Sequence, residues 1–256
     1  MADSKSWEKI FKDYNIINHD FDSRPFPLSS EQIKKSCQKF KKTAQKEVRI
    51  LCKQDSRADR PDIFIDNDLF LLPVKNGSYV IIKGEGYVDI PNINTKEKKY
   101  ESKLDFRLES SEVGNSEMQH LDFAYASSLI RTFMNDESLV LTIRGRKYTP
   151  EFSFMVGNQL IETKSVQTEV DAGFEGKDKI VLIEAKNSKT TDTIIRQLFY
   201  PYRKWKIETK KEVFLLFFEN RDGVFYIWQY GFTNENDYNS IKLIKSGKYL
   251  IQGPNT

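Results

Sequence analysis

A short, almost continuously apolar segment at residues 179–186 limits the folds open to this chain. Four apolar residues, three of them β-branched, precede the triplet Glu184-Ala185-Lys186. The segment therefore predicts a strand that is buried on both faces of a sheet. Because strand side chains alternate between the two faces, Glu184 and Lys186 point the same way. Charged groups at the end of a buried strand cost several kcal/mol unless they are partnered, so this strand end is a candidate functional site.

The elements predicted around this strand form one mixed sheet with helices packed on it. Apolar residues at helical spacing predict one helix that starts at Ser116 and ends at Asn135, and another over residues 190–207. Further strands are predicted at residues 139–143, 152–156, 159–170, 213–218 and 224–230. The order of helix, strands, helix and strands indicates an α/β (α+β) core, a mixed β-sheet flanked by helices.

The first 50 residues predict mainly helix. An N-cap at Ser29 or Ser30 is followed by a strongly basic helix, which we expect to extend from about residue 31 to residue 51. The lysines of this helix form either an ordinary solvated face or a surface that follows the phosphates of a nucleic acid. The two interpretations have equal support from the sequence.

A hairpin region follows these helices. Asn76-Gly77 is a strong hairpin signal, and strands are expected at residues 63–65, 69–74, 78–89 and 103–108. The polar residues 109–116 mark the internal boundary. We therefore divide the chain into a helix-plus-hairpin region, residues 1–110, and a core domain, residues 111–256. The N-terminal region serves either DNA recognition or dimerisation, or it only stabilises the core.

Composition excludes several classes of site. Two histidines and two cysteines, at positions 19, 120, 37 and 52, do not have the spacing of a zinc site. A net charge of +3 gives no bulk argument for nucleic acid, so any such argument must come from local clusters of charge. No apolar run has the length of a membrane span and the N-terminus lacks the apolar core of a signal peptide. We expect a cytoplasmic protein with no membrane partner.

Asp171 precedes Glu184 by thirteen positions. The intervening residues 172–178 are enough to turn the chain and too few for a helix, which predicts that the two strands are antiparallel neighbours. Asp171, Glu184 and Lys186 would then meet near the hairpin turn. Two carboxylates can anchor Mg²⁺, which prefers oxygen ligands and keeps several waters, while a lysine can orient a water molecule or hold a phosphate.

An acidic residue two positions before a lysine is common in this chain, and most such pairs have the features of surface charges. The main alternative site is Glu162-Thr163-Lys164, which follows Pro150-Glu151. Its strand is less apolar than residues 179–186 and no helix follows it. We therefore prefer the site at Glu184.

The phrase Gln167-Thr-Glu-Val-Asp-Ala-Gly-Phe-Glu175, with Glu184-Ala185-Lys186-Asn187 and the order helix, strands, helix, strand, resembles the PD-(D/E)XK nuclease superfamily, and within it type II restriction endonucleases. The resemblance covers about residues 115–230, and Val170 stands where the motif has proline. It implies a restriction-endonuclease-like fold. It also implies Asp171, Glu184 and Ala185 as Mg²⁺ ligands, and Asp171, Glu184 and Lys186 as catalytic residues.

Three more side chains are candidates to support this site. Glu169 lies on the same strand face as Asp171 and is either a further carboxylate of the site or part of an exposed charged face. Glu117 opens the preceding helix and is either a site carboxylate or a first-turn residue favoured by the helix dipole. Gln197, on the following helix, contacts either the phosphate or metal-bound water, or only solvent.

Basic residues interleaved with aromatic residues are candidates for contact with DNA. They are Arg144, Arg146, Lys147, Arg196, Arg203 and Lys204. The last two belong to a segment that could equally be an amphipathic helix with Trp205 in the core.

These features predict a Mg²⁺-dependent type II restriction endonuclease that cuts double-stranded DNA at a specific sequence. One alternative is a nuclease of the same core used in repair or recombination, and another is a catalytically silent DNA-binding protein with this fold. Restriction would imply a cognate DNA methyltransferase encoded nearby. A palindromic target would favour a homodimer, because two-fold protein symmetry would match the site.

Overall fold

The computed structural model describes residues 3–253. Its helices are α1 (Ser4–Asp13), α2 (Ser30–Cys37), α3 (Thr43–Lys46), α4 (Val48–Leu51), α5 (Asp62–Ile65), α6 (Glu117–Ala126), α7 (Leu129–Met134) and α8 (Arg196–Glu208). Its strands are β1 (Phe26–Ser29), β2 (Leu69–Lys75), β3 (Ser78–Lys83), β4 (Tyr87–Asp89), β5 (Lys98–Glu101), β6 (Val140–Tyr148), β7 (Phe152–Val156), β8 (Gln159–Thr163), β9 (Gln167–Glu175), β10 (Lys179–Lys186), β11 (Asp192–Ile194), β12 (Glu212–Arg221), β13 (Val224–Phe232) and β14 (Ile241–Gln252). Within this range no helix combines the length and apolarity that crossing a bilayer requires.

A seven-stranded mixed sheet forms the centre of the fold, in the order β5-β14-β13-β12-β10-β9-β6. Strand β10 is antiparallel to β9 and parallel to β12, and the connection from β10 to β12 runs through α8. Strands β12, β13 and β14 are antiparallel neighbours, and β5 adds a parallel edge strand. The prediction of an α/β core with a large mixed sheet is confirmed at this level.

Both faces of β10 are buried, as the apolar run predicts. Val181, Ile183 and Ala185 face the core that contains α6 and α7. Ile180 and Leu182 face the opposite core, which contains Leu198 and Tyr202 of α8. The sheet is thus enclosed between helices. The charged residues at the end of β10, Glu184 and Lys186, lie where these two apolar layers end.

The N-terminal region has its own core, in which Trp7, Phe11 and Phe64 pack edge to face. Strands β1, β3 and β2 form a small antiparallel sheet over it. The hairpin turn at Asn76-Gly77 is confirmed: it connects β2 and β3, and Gly77 has a φ of +74°, which glycine adopts without strain.

Several predicted elements need correction. The basic helix over residues 31–51 is divided into α2, α3 and α4. A single helix of that length would be about 30 Å long and would carry Leu51 away from Ile33 and Cys37, with which it shares a core. Similarly, the predicted helix from Ser116 is interrupted at Ser128, which has a left-handed backbone conformation.

Other corrections concern strands. Residues 63–65 belong to the short helix α5 rather than to a strand: Phe64 is buried in the N-terminal core, Ile63 packs partly against it, and Ile65 is exposed. The strand predicted at residues 103–108 lies instead at β5, where the end of β14 offers a partner. The predicted return strand 78–89 is two strands, β3 and β4. Residues 192–194, predicted as helix, form β11 and pair with β4.

Candidate active site

Asp171 and Glu184 lie side by side on neighbouring strands. Ala172 of β9 pairs with Ile183 of β10, so the next positions along the ladder are Asp171 and Glu184. The main-chain N–H of Ala185 donates a hydrogen bond of 2.7 Å to Oδ2 of Asp171. The convergence of the two carboxylates agrees with the sequence prediction.

The position of the turn does not agree with it. Residues 172–175 continue β9, and the chain turns only at residues 176–178, where Gly176 N–H donates to the carbonyl of Lys179 over 2.8 Å. Asp171 and Glu184 therefore meet at the open end of the hairpin, away from its turn. This end faces a cleft.

Lys186 and Glu184 point to the same side, as the alternation of strand side chains predicts. Lys186 Nζ lies 2.5 Å from Oε1 of Glu184. The ion pair is largely shielded from solvent, since only 26% of the Lys186 side chain and 10% of the Glu184 side chain are exposed. Shielding strengthens the interaction between the charges but makes each charge costly to hold alone.

The acid–base properties of the three groups reflect this burial. Burial raises the pKa of Glu184 to about 7, the positive charge of Lys186 opposes the rise, and the negative charge of Asp171 adds to it. Burial also raises the pKa of Asp171, against the stabilising hydrogen bond from Ala185. Burial alone would lower the pKa of Lys186, yet the neighbouring Glu184 charge raises it above its ordinary value. When both are ionised, the carboxylates of Asp171 and Glu184 thus carry more negative charge than the single ammonium of Lys186 neutralises.

These carboxylates lie in a cleft of about 640 Å³. Strands β9 and β10 and the start of α8 supply one part of its lining. The other part comes from the N-terminal region, which contributes Arg49, Cys52, Lys53, Asp55, Pro73, Lys75, Asn76, Gly77 and Tyr79. The cleft therefore combines residues from two distant parts of the chain.

The donor set is compatible with Mg²⁺. No group of three or more His, Cys, Asp or Glu side chains arranged for a metal occurs among residues 3–253. However, Mg²⁺ is usually bound by one or two carboxylates together with waters and substrate phosphates, not by a complete protein cage. Asp171 and Glu184 provide two carboxylates. A bound cation would lower the raised pKa of both groups, because it favours their charged forms. The side chain of Ala185 is a methyl group without a donor atom, so this residue could contribute only its main-chain carbonyl oxygen.

The three predicted supporting residues all lie close to this centre. Glu117 accepts a hydrogen bond of 3.3 Å from Asn187 N–H, and its charge contributes to the raised pKa values of Asp171 and Lys186. Glu169 lines the cleft and forms an exposed ion pair of 3.3 Å with Arg146. Gln197 also lines the cleft, and its Oε1 accepts from Thr193 Oγ1 at 2.7 Å.

The predicted DNA-contacting residues are in different places. Arg196 lines the cleft and forms an ion pair of 3.2 Å with Asp55. Arg146 and Lys147 are exposed on β6, an edge strand of the sheet. Arg144, on the same strand, donates hydrogen bonds to Asp122 and Met118.

Arg203 and Lys204 require a correction. They are only 8% and 7% exposed. Arg203 donates to the carbonyl of Glu235 and lies over the ring of Phe152, while Lys204 Nζ pairs with Glu208 at 2.5 Å. The Arg203 contacts join α8 to its surroundings, whereas the Lys204 pair lies within α8, and we leave both residues out of the DNA surface proposed below.

The alternative site at Glu162 and Lys164 lies on β8, in a separate two-stranded sheet. Both side chains are exposed, and neither lines the cleft. Lys164 Nζ instead pairs with Glu151 at 2.7 Å. Its charges behave as ordinary surface charges, which makes this pair a suitable control in experiments.

The N-terminal residues of the cleft are not predicted at the site by any local pattern in the sequence. Arg49 and Lys53 belong to the basic segment that is expected either to face solvent or to follow phosphates, and no sequence pattern singles out Lys75. The basic segment and the hairpin, both located before the core, predict contact of this region with DNA but do not predict that its residues share a cleft with Asp171 and Glu184. Their meeting with β9 and β10 depends on tertiary packing, which local patterns do not report.

Comparison with known proteins identifies two families along the chain. Residues 4–81 match a domain of unknown function, DUF6996, and residues 82–250 match a second domain of unknown function, DUF6997. No curated protein and no solved structure matches the chain. The two matches meet between residues 81 and 82, whereas the boundary between residues 110 and 111 remains a prediction from the sequence. Since the second match spans more than half of the 256 residues, the chain belongs to the DUF6997 family.

Proposed function

We propose that this protein is a Mg²⁺-dependent endonuclease that hydrolyses phosphodiester bonds in double-stranded DNA. The observation that carries the proposal is the meeting of Asp171, Glu184 and Lys186 at one strand end in an open cleft. Two carboxylates beside one ammonium are the groups required to hold a hard cation and a phosphate together.

Asp171 and Glu184 would hold the Mg²⁺, with the main chain of Ala185 as a further oxygen donor. When bound, Mg²⁺ supplies neutralisation of phosphate charge and a lower pKa for coordinated water. The Ala185 N–H fixes one oxygen of Asp171, so that the carboxylate has a defined orientation. Lys186, once released from Glu184, is placed to hold a phosphate oxygen or to orient the attacking water.

The order of elements supports the narrower proposal of a restriction-endonuclease-like fold. Helices α6 and α7 precede strands β6, β9 and β10, and α8 then leads to β12, which is parallel to β10. This is the order helix, strands, helix, strand on which the resemblance to PD-(D/E)XK nucleases rests. We therefore propose a type II restriction endonuclease, with double-stranded DNA as substrate and a methyltransferase as its genetic partner.

Digestion of plasmid and phage DNA tests this proposal. With Mg²⁺, a restriction enzyme gives discrete fragments whose sizes depend on the DNA sequence. A continuous smear would instead indicate a nuclease without site specificity, as in repair or recombination. Binding without any cleavage, in wild-type protein supplied with Mg²⁺ or Mn²⁺, would favour a catalytically silent DNA-binding protein and would contradict the proposal.

A further inference from the structure

We propose that five basic side chains of the N-terminal region form a phosphate-binding surface that leads a DNA duplex into the cleft. This surface, called the basic track below, consists of Lys34, Lys46, Arg49, Lys53 and Lys75. The inference rests on the proposed nuclease function and extends it by assigning the place where the substrate backbone binds. It also gives the DUF6996-matching region a role in the active site.

The basic track is continuous across two depressions of the surface. Arg49, Lys53 and Lys75 line the cleft that contains Asp171 and Glu184. Arg49 also lines a neighbouring groove of about 450 Å³, together with Lys34 and Lys46. Arg49 is thus shared by both depressions and connects the groove to the cleft.

Most of the track's charge is available to a ligand. Within residues 3–253, neither Arg49 nor Lys75 has an ion-pair partner, and both are exposed. Lys53 is 3.8 Å from Asp55, but 72% of its side chain is exposed. In the groove, Glu47 is the single acidic side chain among the described lining residues, against three basic ones.

The chemistry of the site requires such a surface. Asp171, Glu184 and Glu169 repel the phosphates of an approaching DNA strand. The lining of the cleft contains five basic residues and four acidic ones, and three of the basic residues come from the N-terminal region. A net charge of only +3 for the whole chain gives little general attraction to DNA. Affinity must therefore come from local basic groups that release counterions from the duplex.

The same region provides a matched control. Lys39, Lys41 and Lys42 follow α2 and are all exposed, yet they line neither the cleft nor the groove. They equal Lys34, Lys46 and Arg49 in number and charge and differ from them in position. Comparing the two triplets separates a defined track from general positive charge.

The test measures binding of a short DNA duplex to the full-length protein by fluorescence anisotropy, in chelator, between about 50 and 200 mM salt. The track variant is Lys34→Gln/Lys46→Gln/Arg49→Gln, and the control variant is Lys39→Gln/Lys41→Gln/Lys42→Gln. The slope of log K against log salt is negative, and each lost phosphate contact reduces its magnitude by about 0.9. We expect the magnitude of the slope to decrease by up to about 2.7 in the track variant and to stay at the wild-type value in the control variant. Unchanged far-ultraviolet circular dichroism and unfolding midpoints would show that both variants fold.

The proposal would be overturned if the magnitude of the slope decreased equally in both triple variants, or if the track variant kept the wild-type slope. Two further single variants, Lys53→Gln and Lys75→Gln, test whether the basic track continues into the cleft. Wild-type binding by both of these variants would also contradict the proposal. Because binding is measured without cleavage, the two proposals fail separately. If the track variant shows a slope of smaller magnitude but the wild-type protein never cuts DNA, the nuclease proposal is rejected and the basic track is retained. If the wild-type protein cuts DNA but the track variant binds like wild type, the basic track is rejected and the nuclease proposal is retained.

Discussion

The main-chain N–H of Ala185 donates a 2.7 Å hydrogen bond to Oδ2 of Asp171, so the two strands that carry the candidate carboxylates are joined at the site itself. The bond holds the Asp171 carboxylate beside Glu184 in spite of their like charges. It also leaves the other oxygen of Asp171 without a hydrogen bond within residues 3–253. Among residues 3–253, Lys186 is the cation paired with these carboxylates, and this arrangement is the basis on which we propose a Mg²⁺ site.

The first prediction concerns pH and the stability of the metal-free protein. The pKa of Glu184 is raised from 4.5 to about 7, so between these values the folded state holds a proton that the unfolded state lacks. Its contribution to the free energy of unfolding must therefore decrease as pH rises through this window. Lys186 remains charged throughout, because its pKa is raised above 10.5.

Urea unfolding in chelator, for wild type and Glu184→Gln at several pH values, measures this contribution. We expect the stability of wild type relative to Glu184→Gln to fall from about pH 5 to about pH 7 and to level off above about pH 8. A difference between the two proteins that does not change with pH would show that Glu184 has an ordinary pKa.

The second prediction concerns the metal. Mg²⁺ or Mn²⁺ should support cleavage, whereas Ca²⁺ should allow DNA binding with little turnover, because it is larger and accepts looser geometry. Mg²⁺ should also raise the unfolding temperature of wild type, since a ligand of the folded state stabilises it, and should not raise that of Asp171→Ala. Full cleavage activity in excess chelator would rule out the metal-dependent reaction.

The third prediction concerns the packing that supports Asp171. Gly173 pairs with Ile143 across β9 and β6, and a Cβ at Gly173 would lie 2.7 Å from Cβ of Ile143. Gly173→Ala should therefore destabilise the protein by about 1–3 kcal/mol. Gly231→Ala, also in a strand, is a suitable control because its Cβ would meet Ile244 at an ordinary 3.5 Å. Equal unfolding free energies for the two variants would contradict this description of the sheet.

The parts of the fold that could be predicted are those coded by local pattern. The apolar run before Glu184 specifies a buried strand, and Asn76-Gly77 specifies a hairpin. By contrast, local pattern does not predict β14, because five of its six residues before Gly247 are exposed and two of these are lysines. It is a strand because β13 and β5 provide hydrogen-bonding partners, and that information is not local.

The candidate site shows the same division. Asp171, Glu184 and Lys186 could be identified because they are attached to an apolar strand whose alternation fixes their direction. The burial of Arg203 and Lys204 could not be predicted, because basic side chains usually face solvent. Pro201 also lies within the same helix, where proline is unfavourable. The contribution of Arg49, Lys53 and Lys75 depends on the packing of the N-terminal region against the sheet.

The most direct test of the central claim compares two glutamates that each precede a lysine by two positions. Glu184→Gln removes the buried carboxylate of the cleft, and Glu162→Gln makes the same change at an exposed pair outside it. With Mg²⁺ and plasmid DNA, we expect the cleavage rate of Glu184→Gln to be at least about a hundredfold below that of wild type. A decrease of this size is typical for groups that act directly in a reaction. Glu162→Gln should cut at the wild-type rate. Wild-type cleavage by Glu184→Gln, or loss of cleavage only in Glu162→Gln, would contradict the assignment of the active site.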